Sequence, residues 1–248
     1  MSMSVPLILQ DDCELGAKET EDGIENDFAY RNNVAQATKL VRLGFIRKVY
    51  CLLSAQLILT TIVGAVCMFT PPIQEFIHRN DWLMLLAFIT SIATIIALHI
   101  WRKSTPTNFI LLGIFTVVMA YSLGVTISYF SQAVVLQALL LTIAVVVGLT
   151  MYTFQTKRDF SALHSTLFAG LFILIIGGFL QIFLQSTAFE ILLSLGGALI
   201  FSLFIIVDTK LIMEHLSPEE YILATINLYL DIINLFLYIL RILQAARS

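Results

Sequence analysis

Beyond Tyr50 the chain is a succession of long apolar runs separated by loops of only a few residues, and few folds accommodate that pattern. A helix that crosses a bilayer needs about 20 mostly apolar residues, because hydrocarbon offers its backbone no hydrogen-bond partners. Runs of that kind lie near 49–70, 82–101, 108–129, 133–154, 162–184, 188–213 and 221–243. Only 12% of the 248 residues are charged and 58% are hydrophobic; a soluble domain carries roughly a quarter charged residues. The pattern predicts an all-α polytopic membrane protein, a bundle of about seven helices embedded in lipid. No strand pattern interrupts the runs, and neither a GxGxxG turn nor a P-loop follows one, so a nucleotide site and a nucleic-acid partner are not expected.

Outside the runs, charge is segregated. Asp11, Asp12, Glu14, Glu19, Glu21, Asp22, Glu25 and Asp27 crowd the start of the chain. With no periodic apolar face, residues 1–30 read as an acidic, solvated tail, and residues 31–248 as the membrane domain. The run Val5–Leu9 is too short for a secretory signal, so the first span is expected to act as signal anchor. Cys13, Cys51 and Cys67 have no metal-site spacing, and Cys51 and Cys67 would stand about 24 Å apart on one helix, too far to pair. Lys and Arg set orientation. Arg31, Lys39, Arg42, Arg47, Lys48, Arg102, Lys103, Lys157, Arg158 and Lys210 fall on the side of the N-terminus, which is therefore expected to be cytosolic. Arg79 falls opposite, joined by Arg241 and Arg247 if the last segment crosses; a last segment that re-enters without crossing stays open.

The breaks between spans follow helix physics. Pro71-Pro72 stops the first span, Asn80 or Asp81 can cap the second, and Ser104-Thr105-Pro106 offers a cap with proline in the first turn. Thr187-x-x-Glu190 and Ser217-Pro218-Glu219-Glu220 read as capping boxes, which gives those glutamates a structural task. Glycines within spans permit close helix approach.

The informative residue is Asp231, in the middle of the last span. A carboxylate at the bilayer centre costs about 2.5–3.5 kcal/mol on insertion scales, so such a group faces a bundle interior or a wet cavity. Asn227, Asp231, Asn234, Tyr238 and Arg241 follow one another at spacings of 4, 3, 4 and 3, which stacks them on one helix face. A polar seam that serves only packing is the alternative. A second carboxylate, Asp208, lies toward the end of the sixth span. The turn around Leu216–Glu219 makes the last two spans antiparallel neighbours, so both aspartates fall at similar depth, although an interfacial, solvated Asp208 would fit its position too. Two carboxylates in a dry site tend to share one proton and supply hard oxygens to Ca2+. No HExxH, GxSxG or Cys/His cluster supports an enzyme, no cofactor is expected, and His78, His99, His164 and His215 sit near membrane edges.

Asp208 within Phe201–Thr209, Ser217–Tyr221 and the run Leu228–Phe236 resemble the transmembrane Bax-inhibitor-motif family. Arg47–Tyr50 and Tyr152–Phe160 look most like its Lifeguard branch, and the similarity spans about Glu25 to Arg241. The resemblance implies a seven-helix fold with the last helix central, a Ca2+ leak from Golgi or endoplasmic reticulum stores, and protection from apoptosis. It implies that Asp208 and Asp231 form a pH-sensing pair that gates a pore. In bacterial relatives the arginine matching Arg241 pairs with a glutamate of the second helix, where this chain has Thr90, and an arginine lies near the aspartate pair, a place for which Arg102 is the candidate. A pH-responsive Ca2+ leak channel is the leading expectation, with Ca2+ and protons as its ions. A non-conducting scaffold acting on membrane partners of apoptosis and calcium signalling is the alternative. An intramembrane aspartyl protease lacks its Tyr-Asp and Gly-x-Gly-Asp contexts here, and the receptor motifs Asp-Arg-Tyr and Asn-Pro-x-x-Tyr are missing.

Overall fold

A computed structural model describes residues 39–80, 82–156, 158 and 160–247. The acidic tail, Cys13, Arg31, Asp81, Lys157 and Asp159 lie outside the described residues. Those residues form α1 (Lys39–Phe69), α2 (Pro71–Arg79), α3 (Trp82–Trp101), α4 (Thr107–Ile127), α5 (Gln132–Gln155), α6 (Ser161–Leu184), α7 (Thr187–Glu214) and α8 (Tyr221–Ala245). A 3-10 turn over Pro218–Glu220 leads into α8. All but α2 are long and apolar enough to cross a membrane, giving the seven spans expected.

Burial shows how they are arranged. In the most apolar stretch of α8, 67% of residues are buried, against 17% in α6. The last helix is thus the centre of the bundle. It packs on α7, α5 and α1, while α3 and α6 lie outside. Phe172, Ile173, Ile182 and Phe183 of α6 are more than three-fifths exposed. Such a continuous apolar surface is sustainable only in lipid.

Polar contacts fix which ends lie together. Lys103 and Arg102 pair with Glu219 and Glu220, and Lys210 donates to the Thr156 carbonyl. The α3–α4, α5–α6 and α7–α8 connections therefore share one end of the bundle. At the other end His78 bonds Ser128, and Arg247 donates to Gln137. α8 thus runs from one end of the bundle to the other as one continuous helix of about 37 Å, and it does not re-enter.

Several local expectations are corrected. Pro71-Pro72 does end α1, because proline has no N–H and disfavours helix at the residue before it. The same prolines also open α2, where Pro71 sits at the first helical position, and α2 buries Ile77 beneath polar Glu75, His78 and Arg79. Asn80 does not cap α3; its amide donates back to the Phe76 carbonyl. Pro106 stands just before α4 rather than in its first turn, with no side-chain cap. Thr187 is the first residue of α7, whose cap position is Ser186 without a side-chain bond, so no capping box forms there. Ser217 does accept from the Glu219 N–H, at 3.5 Å. Glu219 and Glu220 themselves serve as ion-pair partners of Lys103 and Arg102.

Candidate functional site: a buried aspartate pair

Asp208 lies six residues before the end of α7 and Asp231 ten residues into α8, about 9 and 15 Å from the turn at helical rise. A short turn forces the two helices to run back along each other, and the difference in depth is about one helical turn. The two side chains meet within hydrogen-bonding reach. Each residue is only 7% exposed. Around them α7 buries Phe204–Val207 and Thr209, and α8 buries Leu228, Tyr229, Ile232 and Ile233.

The charge inventory of the pair is one-sided. Among the described residues neither aspartate has an ion-pair partner. Asp231 Oδ2 is sealed from solvent and receives no hydrogen bond from a donor among the described residues. A proton held between the two carboxyls would supply that partner; with both ionised, a lone oxygen and two like charges would share a dry site.

The other residues expected at this site do not converge on it. Asn227 and Arg241 are exposed. Asn234 is half-buried, with its amide donating to the Leu230 carbonyl of its own helix at 2.8 Å. Tyr238 stacks on Phe201, ring centroids 5.7 Å apart, and the Arg241 guanidinium lies 5.6 Å from the Tyr238 ring. The polar face of α8 is real as a helical stripe, yet only Asp231 of its members is buried. Arg102 is not a partner of the pair: its Nη2 is 3.3 Å from Glu220 Oε1 at the end of the bundle. Thr90 turns its hydroxyl onto the Leu86 carbonyl.

Two polar features were missed from sequence. Gln56 Nε2 donates to Thr116 Oγ1 at 2.8 Å, Thr60 Oγ1 lies 2.8 Å from Tyr229 Oη, and all four residues are at most 4% exposed. They tie α1 and α4 to α8 two residues from Asp231. Gln56 and Thr60, one turn apart in an apolar run, were the signal. The second feature is Lys210, 6% exposed, whose ammonium meets Glu214 at 2.6 Å and the Thr156 carbonyl at 3.1 Å. Its sequence signal is the acid four residues later, which marks a helical ion pair.

Residues 42–248 match the family described as "Inhibitor of apoptosis-promoting Bax1". Protein lifeguard 4 of Mus musculus is 43% identical over 225 residues, covering 91% of this chain and 94% of that protein. The Golgi anti-apoptotic protein of Vaccinia virus (strain Lister) is 45% identical over 225 residues, 91% of this chain and 95% of that protein. Bax inhibitor 1 of Schizosaccharomyces pombe is 37% identical over 231 residues, 93% and 87% of the two chains. With the family matched from the first span through the buried pair to the C-terminal helix, the chain belongs to the Bax-inhibitor family of polytopic membrane proteins.

Proposed function

We propose that this protein is a pH-responsive Ca2+ leak channel of intracellular membranes that restrains apoptosis, gated by Asp208 and Asp231. The observation that carries the reading is the burial of the two carboxyls in mutual contact, without a cation among the described residues, at the joint between α7 and α8. A shared proton holds the two helices together and keeps the bundle closed. Loss of that proton leaves two like charges side by side in a low-dielectric interior, which drives the helices apart. The same step turns the pair into two hard-oxygen ligands for Ca2+. Ca2+ takes six to eight oxygens, and no third acidic, His or Cys side chain joins the pair among the described residues. The pair therefore suits a cation in transit, with water completing its shell.

The names of the relatives support the remaining parts. An anti-apoptotic role follows the Bax-inhibitor and anti-apoptotic names, and a Golgi location follows the viral relative; the endoplasmic reticulum is the other candidate store. The positive charge of Arg42, Arg47, Lys48, Arg102, Lys103, Arg158 and Lys210 supports a cytosolic location for this end of the bundle and for the N-terminus.

The test is Ca2+ efflux from liposomes containing only this protein, across pH. Efflux is expected to rise with pH in the wild type and to lose its pH dependence in Asp208→Asn and Asp231→Asn, because an amide donates a hydrogen bond permanently. A pH profile unchanged in both variants rules out gating by the pair. No efflux above empty liposomes, from protein shown to be folded, transfers the reading to a non-conducting scaffold that acts through membrane partners.

A further inference from the structure

A cleft of about 720 Å3 opens on the side of the bundle, on the order of twenty times the space of one water molecule. It exists because α1 and α5 both pack on α8 yet barely on each other. Its floor is Ile232, Ile233 and Phe236 of α8, and small Gly64, Ala65 and Ala133 hollow its walls. Its lining carries just four polar side chains, Thr60, Thr61, Thr142 and Gln132. The three threonine hydroxyls donate to the carbonyls of Gln56, Leu57 and Ala138 in their own helices, so their protons are already taken up. Gln132 stands at the first residue of α5, at the end of the cleft nearest the bundle surface.

These walls select the occupant. Water needs two to four polar partners, and the threonine walls offer it no free donor. An empty cleft would forfeit the dispersion contacts of its whole lining. Peptide and sugar ligands carry polar groups that the cleft cannot satisfy. Ile58, Ile62, Leu136 and Ile143 line the cleft and are also exposed, so it is continuous with the lipid-facing surface of the bundle. From Gln132 to Val147 it runs about 22 Å at helical rise, more than the roughly 15 Å depth of one leaflet's hydrocarbon.

We infer that this cleft holds an acyl chain of a bilayer phospholipid, bound between α1 and α5 with its headgroup beside the start of α5. The bound chain completes the packing of α8 in the turns that follow Asp231. Bound and passing lipid are separable by photolabelling. The full-length protein is reconstituted in phosphatidylcholine nanodiscs containing a trace of phosphatidylcholine with a diazirine in its acyl chain, and adducts are mapped by mass spectrometry. Adduct yield in Leu57–Phe69 and Gln132–Val147 is expected to exceed that in Leu163–Leu184 several-fold, although the latter span has the more exposed surface. In Ala65→Phe/Ala133→Phe, which fills the hollow, the excess is expected to vanish. Equal yield across the spans overturns the inference, as does a yield in the two cleft spans below that in Leu163–Leu184, which means that a second copy of the chain covers the cleft in place of lipid. The comparison between spans is internal to the wild type, so the inference stays refutable even where the filled variant fails to fold.

Discussion

A lysine ammonium buried to 6% exposure persists only with partners, and Lys210 has two: Glu214 and the Thr156 carbonyl. Removing one member of a buried pair costs more than removing both, because the survivor keeps its desolvation penalty. Glu214 is about a third exposed, so water moderates the effect. Glu214→Ala is therefore expected to destabilise the protein by about 1–3 kcal/mol. Adding Lys210→Met is expected to recover most of the loss, leaving the cost of the Thr156 contact. Thermal unfolding midpoints in detergent, compared for wild type, single and double variants, give the order; a double variant no better than Glu214→Ala refutes the pairing. The aspartates present the opposite case at the same scale. Their depth and their antiparallel helices were legible from a short turn and two carboxylates in apolar runs. That no cation among the described residues pairs with them was not, because hydropathy does not say which loop cation reaches inward, and Arg102 points to Glu220 instead.

At the scale of elements, the contact between α7 and α8 rests on a glycine. A Cβ on Gly197 would stand 2.5 Å from two ring atoms of Tyr238, and that ring is stacked on Phe201. The ring has little room to retreat, so overpacking is relieved only by moving a helix. Gly197→Ala is expected to cost about 1–3 kcal/mol. Gly177 provides the control: its added Cβ meets the end of the Leu193 side chain, which can turn away. A lower unfolding midpoint for Gly197→Ala than for Gly177→Ala is the expected ranking, and equal midpoints would mean that Tyr238 moves freely. Both glycines read from sequence as sites of close approach, whereas the partner of each did not. The helix boundaries show a related limit. The first apolar run begins near residue 49, yet α1 begins at Lys39, because hydropathy marks the part immersed in lipid and the helix continues past it through Arg42, Arg47 and Lys48. Similarly, Pro71-Pro72 was legible as a stop, but α2 was not, since nine residues of mixed polarity are too few for a span. The Gln56–Thr116 and Thr60–Tyr229 bonds depend on which spans are neighbours, and that is a property of the assembled bundle.

For the whole molecule the decisive question is sidedness, because the proposed gate lies nearer one end. The ion pairs Arg102–Glu220 and Lys103–Glu219, with Lys210 on Thr156, gather three connections at the basic end. The bonds His78–Ser128 and Arg247–Gln137 gather the rest at the other end. The surface ion pairs contribute at most about 1 kcal/mol each, so they report the topology rather than enforce it. Enforcement comes from α8, whose length and apolar surroundings leave it no stable place except across the bundle. In a chain with Cys13, Cys51 and Cys67 replaced, single cysteines at Ser104 and Ser217 are expected to react with a membrane-impermeant maleimide from one face of sealed vesicles. Cysteines at Ser131 and Ala246 are expected to react from the opposite face only. Labelling of Ser217→Cys and Ala246→Cys from the same face would mean that the last helix does not cross, and the aspartate pair would then lose the buried setting on which the proposed shared proton depends. With cytosolic and lumenal faces distinguished in the same vesicles, reaction of Ser104→Cys from the cytosolic face is expected from the positive charge at that end, which puts the proposed gate nearer the cytosol and makes cytosolic pH its controlling variable.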